Sequence, residues 1–203
     1  MRLKDFELEL PKGLNEDDFY LPSDNPLSKD KVALGRTLFF DPRLSIDNTV
    51  SCATCHSPQT AFSDKRRVSP GVGSGAGIRN APTIINRAFS REQFWDGRAN
   101  SLEEQSKLPL INPIEMAMPS HELLVKKVGD IRGYQSWFKR VFARDVNIDD
   151  LAKAIAAFER TVVSGNSRYD EFKAGNELAL NEAEQRGLEL FEGKARCSQC
   201  HKG

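Results

Sequence analysis

The chemistry-bearing residues of this chain are its four cysteines and three histidines, and most of them fall into one repeated pattern. Cys52-Ala53-Thr54-Cys55-His56 and Cys197-Ser198-Gln199-Cys200-His201 are both C-x-x-C-H, the attachment signature of c-type haem. Two thiols three positions apart meet the two vinyl groups of one porphyrin, and the adjacent imidazole supplies an axial nitrogen to the iron. A zinc site built from two C-x-x-C pairs would space them about 12–20 residues apart. Here Cys55 and Cys197 lie far apart, and each pair brings its own histidine. A thioredoxin-like redox pair would need a βαβ setting that the sequence lacks. Two plain disulfides would leave the repeated histidine without a purpose. The cysteines therefore predict two covalently attached haems c, with His56 and His201 on the irons.

Composition narrows the partners. The 203 residues carry 29 Lys+Arg against 29 Asp+Glu, a formal net charge of zero. That balance argues against nucleic acid or an anionic membrane surface as the main partner. Mean hydropathy is −0.51, and no apolar run approaches the ~20 residues of a membrane helix. Met1-Arg2-Leu3-Lys4-Asp5 leads into no apolar stretch, so no signal peptide is expected here. Haem c is attached outside the bacterial cytoplasm, which predicts a periplasmic protein whose leader has been trimmed.

The elements that position these motifs are helical. Gly35-x-x-x-Phe39 precedes the first motif and Gly187-x-x-x-Phe191 the second. Each places a glycine and an aromatic one turn apart on one helix face. The glycine admits another helix closely, and the aromatic fills the space beside it. Ser28 caps the first of these helices, and Asn181 with Glu184 forms a capping box for the second. Ser101 and Glu104 open a further helix, expected to stop before Pro109. Ser120 caps another through Val128. Tyr134, Trp137, Phe138, Val141 and Phe142 form a buried helical stripe, as do Ile148, Leu151, Ile155, Phe158 and Val162. The expected architecture is all-α, with little or no sheet. It comprises one complete cytochrome c-like haem domain over 1–164, then a linker and the opening of a second over 165–203.

Two loops bear on function. Ser69 to Gly77 carries glycine at every second position, which predicts a mobile stretch, and composition alone favours a surface linker. Leu108 to Met116 places Glu115 in an apolar, proline-stiffened segment, where desolvation would raise a carboxyl pKa. Composition alone favours an exposed glutamate there.

Further runs carry a resemblance. Asp41-Pro42-Arg43-Leu44-Ser45, Arg79-Asn80-Ala81-Pro82-Thr83, Gln93-Phe94-Trp95-Asp96-Gly97-Arg98-Ala99, Leu102-Glu103-Glu104-Gln105 and Pro113-Ile114-Glu115-Met116 resemble, in order and spacing, the bacterial dihaem cytochrome c peroxidases. They resemble equally the related MauG-type enzymes of methylamine utilisation. The likeness implies that the first haem, on His56, reacts with hydrogen peroxide. It assigns the distal acid–base carboxylate to Glu115 and its neighbouring amide to Gln105. Trp95 would lie on the electron path between the haems, and Asn80 would contribute to a calcium ion. A small cytochrome c or copper protein would supply electrons, and a homodimer is compatible with the family. Peroxidases of this kind often carry a capping histidine in the glycine-rich loop. The matching position here is Val72, and no histidine occurs from Ser57 to Ser120. The first haem is therefore expected to be open in every redox state, unless Met116 or Met118 caps it. Val72 also draws the reading towards MauG-type oxidation of a partner protein. A dihaem electron carrier without catalysis is the remaining alternative.

Overall fold

The computed structural model describes residues 6–201; the N-terminal residues read for a leader lie outside them. The secondary structure is helical: α1 (Lys29–Phe40), α2 (Cys52–Cys55), α3 (Leu102–Ile111), α4 (His121–Gly129), α5 (Arg132–Phe142), α6 (Ile148–Glu159), α7 (Arg168–Lys173) and α8 (Glu182–Glu192). Strand pairing among the described residues is limited to isolated bridges at Ser57–Ser63, Pro70–Ala76 and Gln93–Ala99. Two units separate: residues 6–9 with Glu16–Val163, and Leu10–Asn15 with residues 164–201. That an N-terminal strap belongs to the second unit was not legible in the sequence. Lys12 and Asn166 hold it by exchanging hydrogen bonds, with Lys12 N–H donating to the Asn166 Oδ1 at 2.8 Å and Asn166 N–H to the Lys12 carbonyl at 3.0 Å.

The first unit is built around α6, and it is α1 that packs most extensively on it. Leu151, Ala152, Ala154, Ile155, Ala156 and Ala157 are all buried. Four alanines keep α6 thin, and Gly35 on α1 completes the contact. A Cβ at position 35 would stand 1.8 Å from the Ala154 carbonyl oxygen, so only glycine fits. The second copy behaves differently: a Cβ on Gly187 would meet nothing within 4 Å. Tyr134 and Phe138 of α5 enter the same core, with Trp137, Val141 and Phe142 packed half-buried against it.

The caps form as the sequence predicts. Ser28, Ser101, Ser120 and Asn181 each accept a backbone N–H two or three residues into the following helix. Helix α3 departs from expectation, running through Pro109 to Ile111. Proline this late costs one intrahelical bond to the Gln105 carbonyl. The last turn is held from the following loop instead, by Met116 N–H on the Pro109 carbonyl (3.3 Å) and Met118 N–H on the Leu110 carbonyl (3.0 Å).

Charges buried in this unit are mostly paired. Arg160, just past α6, is fully buried and forks onto Glu103 of α3 at 2.6 and 3.0 Å. Asn25 joins them, donating to Glu103 at 2.6 Å and to the Lys153 carbonyl at 3.0 Å. Lys31 in turn donates to Asn25 Oδ1 at 2.9 Å. This network ties the segment before α1 to α3 and α6. The second unit has no such core, since no residue from Ser164 to His201 is buried. Its α7 and α8 are clipped together by Arg168, which forks onto Glu184.

Removing one partner of the buried ion pair leaves the other charge uncompensated. Glu103→Ala is expected to destabilise the first unit by about 3–5 kcal/mol, measured by denaturant unfolding. Glu103→Gln, which still accepts a hydrogen bond, should cost less.

Candidate functional site

The first haem motif sits on a very short helix that its neighbours must hold in place. Ser45 Oγ accepts the Thr49 and Val50 N–H groups at 3.1 Å each, fixing the turn that enters it. Ser51 N–H donates to Thr54 Oγ1 at 3.0 Å, half of a capping box. Cys52 and Cys55 then lie one turn apart on α2, and His56 N–H closes the turn onto the Cys52 carbonyl at 2.9 Å.

The His56 ring is oriented for ligation. Its Nδ1 lies 3.2 Å from the Phe62 carbonyl. A carbonyl only accepts, so Nδ1 carries the proton and Nε2 keeps its lone pair. Burial holds the His56 pKa below its ordinary value, so the imidazole is neutral, as a metal ligand requires. Phe39 of α1 stands beside it, ring centroids 6.4 Å apart at 45°.

The second motif repeats this arrangement on its own unit. His201 N–H bonds to the Cys197 carbonyl at 2.9 Å. Phe191 lies 6.4 Å from the His201 ring at 48°. The Gly-x-x-x-Phe repeat therefore has a structural meaning in both copies: the aromatic packs against the histidine. Only the first copy uses its glycine for helix contact.

All four cysteines are free thiols. Burial pushes Cys52 and Cys55 upward in pKa, which keeps both protonated. Buried side-chain atoms lacking a hydrogen bond include Asp64 Oδ2 and Glu159 Oε2. Glu159 acts electrostatically on Cys52, and Asp64 on Cys55 and His56. Paired thiols, a neutral imidazole held by backbone carbonyls and orphaned polar atoms around them fit a covalently held haem c at Cys52, Cys55 and His56. Cys197, Cys200 and His201 present the same donor set.

The structure places Glu115 next to this motif. Its carboxylate lies within electrostatic range of both Cys52 and Cys55. Half-burial pushes its pKa up, opposed by the charge of Arg98. Asn112 Nδ2 donates to Glu115 Oε1 at 2.9 Å, and Asn112 Oδ1 accepts the Ile114 N–H at 2.9 Å. Asn112 thus shapes the turn and aims the carboxylate, a role the sequence reading missed. Asn-Pro as a turn former was the available signal.

The glycine-rich loop is not a free linker. Val72 N–H donates to the Glu115 carbonyl at 3.1 Å, and Gly77 N–H to the Ser69 carbonyl at 3.0 Å. A Cβ on Gly71 would stand 1.6 Å from the Ile114 carbonyl oxygen. The glycines serve close backbone approach to the Glu115 segment, and Val72 packs half-buried on the core.

Met116 and Met118 are both buried in that core. Gln105 is half-buried on α3. His121 is half-buried with Nε2 3.0 Å from the Lys107 carbonyl. Trp95 is 65% exposed, with its indole N–H donating to the Asn80 carbonyl at 2.8 Å. Asn80 donates its own amide to the carbonyls of Asp64 (3.2 Å) and Arg66 (2.7 Å). No cluster of three or more His, Cys, Asp or Glu suited to a metal ion occurs among the described residues.

Residues 29–178 match the family model described as di-haem cytochrome c peroxidase. The chain belongs to that family. It is 42% identical to the methylamine utilization protein MauG of Methylorubrum extorquens, over 89% of this chain and 51% of that one. It is 39% identical to the cytochrome c peroxidase Ccp of Escherichia coli, over 95% and 41% respectively. Among solved structures, a MauG-like protein associated with microbial copper homeostasis superposes with a TM-score of 0.85 at 38% identity, covering 97% of this chain and 58% of that one. The diheme peroxidase BthA of Burkholderia thailandensis superposes at 0.77 and 30% identity, covering 87% and 50%. The chain spans about half the length of the curated relatives it matches. The all-α cytochrome c-like fold read from the sequence is the fold of these di-haem relatives.

Replacing one cysteine of a pair separates the two sites. Cys52→Ala and Cys197→Ala are each expected to lower covalently bound haem, counted by pyridine haemochrome, from two per chain towards one. A count of two in either variant would remove that motif from the attachment chemistry.

Proposed function

We propose that this family member reduces hydrogen peroxide to water in the periplasm. Its electrons would come from a small cytochrome c or copper protein by way of the second haem. The observation that carries the reading is Glu115, a half-buried carboxyl aimed by Asn112 beside the first haem motif.

The haem on His56, when bound, supplies an iron that binds peroxide and passes it electrons. The remaining work belongs to side chains. Reduction consumes two electrons and two protons, so a proton must be moved from one peroxide oxygen to the other as the O–O bond breaks. Glu115 is the relay: its raised pKa brings the carboxyl closer to the working pH, where it can accept and return a proton. Gln105, whose carboxamide can donate and accept hydrogen bonds, holds peroxide without titrating. His56, fixed by the Phe62 carbonyl, presents Nε2 in a constant direction. Trp95 serves the electron path, held by its bond to the Asn80 carbonyl. The Asn80 amide is occupied with carbonyls, which leaves Oδ1 to face a calcium ion. No helix among the described residues is long and apolar enough to cross a membrane.

Glu115→Gln is expected to lower peroxide turnover by about 10²–10⁴-fold while both haems remain attached and redox-active. Unchanged turnover would move the proton relay elsewhere. Because Glu115 must be ionised to accept a proton, turnover should rise with pH through its elevated pKa.

Val72 favours a second reading, in which the same pocket oxidises a partner protein as a MauG-type enzyme. A valine cannot ligate iron, so the Val72 loop would leave the first haem open before any reduction unless the thioether of Met116 or Met118 capped it. The resting ferric protein should accordingly show a high-spin component by absorption and electron paramagnetic resonance. A wholly low-spin spectrum at both haems would overturn the open site. Turnover with a small reduced cytochrome against oxidation of a protein tryptophan distinguishes the two readings.

A further inference from the structure

The carboxyl of Glu159 is a buried acid that the peroxide chemistry leaves unused. It is 5% exposed, and its Oε2 has no hydrogen-bond partner among the described residues. It closes α6 at the C-terminal end, where the helix dipole disfavours negative charge. The charged and titratable groups that act on it are few. Arg160 is nearest in sequence, but its guanidinium is forked onto Glu103. Glu103 itself adds like charge. Arg87 contributes attraction from a distance while donating to Gln93 Oε1 and the Glu92 carbonyl. No ion pair to Glu159 forms among the described residues. Burial therefore pushes its pKa up to about 8, near the working range of a periplasmic protein.

The position of this acid links it to the first haem motif. Glu159 lies within electrostatic range of Cys52, a haem-attachment residue, and is the largest charge acting on that thiol. Its chain neighbour Phe158 packs on Phe39 with ring centroids 5.2 Å apart, and Phe39 packs on His56. A charge change at an iron held by His56 would act on Glu159 through a buried, aromatic interior, where Coulomb interactions are weakly screened.

We propose that Glu159 is a redox-linked proton-binding site of the first haem. When the iron gains one electron from a reductant, the Glu159 carboxylate takes up one proton from solvent and becomes the neutral acid. Oxidation of the iron releases the proton. One electron and one proton enter together, so the charge of the interior stays constant. The coupling is reciprocal: protonating Glu159 favours the reduced iron. This role rests on haem occupancy at Cys52 and His56 and not on peroxide turnover, so its test measures no turnover.

The experiment is optical redox titration of the first haem in the haem-loaded protein across about pH 6 to 9. Over the pH range where uptake occurs, the redox equilibrium should shift about tenfold per pH unit, or about 59 mV for one electron. Glu159→Gln should flatten that dependence, whereas Glu122→Gln, at an exposed acid of α4, should keep it. A pH-independent potential in the wild-type protein would overturn the proposal. So would an unchanged slope in Glu159→Gln. Should Glu159→Gln fail to load haem, Glu159→Asp keeps a carboxyl at a changed position. A displaced titration midpoint would then support the site, and an undisplaced one would overturn it.

Discussion

The close approach of α1 to α6 is the contact on which the first unit depends. Gly35 lets the α1 backbone settle against the Ala154 carbonyl, and the alanines of α6 let it do so over several turns. One turn beyond Gly35, Phe39 is thereby held against both Phe158 of α6 and His56. The helix contact and the ligand orientation are thus one packing problem. Widening the first by a methyl group would displace the ring that flanks the second. In the second unit the Phe191–His201 pairing recurs without a helix against Gly187. The aromatic–histidine contact is the shared part of the repeat, and the helix contact is particular to the first unit.

Three acids in the first unit show how surroundings set the behaviour of a buried carboxyl. Glu103 is paired with Arg160 and bonded by Asn25, and its pKa lies below its ordinary value even though burial pushes the other way. Glu115 keeps an amide donor and partial exposure, and it is raised. Glu159 has neither ion pair nor exposure and is raised furthest, to about 8. The residue type is the same in each case. Partner count and solvent access decide which is a structural anion, which can exchange a proton with a small molecule and which titrates inside the core, where a neighbouring charge sets its state.

Much of the fold was legible before any coordinates. Helix starts were readable because Ser28, Ser101, Ser120 and Asn181 act through local hydrogen bonds that span only three residues. The core stripes of α5 and α6 follow from helical periodicity. The end of α3 was misplaced because the carbonyls of Pro109 and Leu110 are satisfied by the N–H groups of Met116 and Met118. That is a contact between the helix and its return loop, which no local rule encodes. The glycine-rich loop was misread for a similar reason. Alternating glycines spell flexibility in isolation, yet here Gly71 permits a backbone contact with Ile114.

The sequence by itself determined the chemistry that two haems would require: four thiols, two imidazoles and their spacing are covalent facts of the chain. It also carried the family, whose motifs keep their order along it. Only the tertiary structure decided which carboxyls stand near the first motif and what state each adopts. Glu115 and Cys52 are distant in sequence, and Glu159 is more distant still, so their proximity follows from helix packing. Their pKa values follow in turn from the solvent and partners that packing removes or supplies.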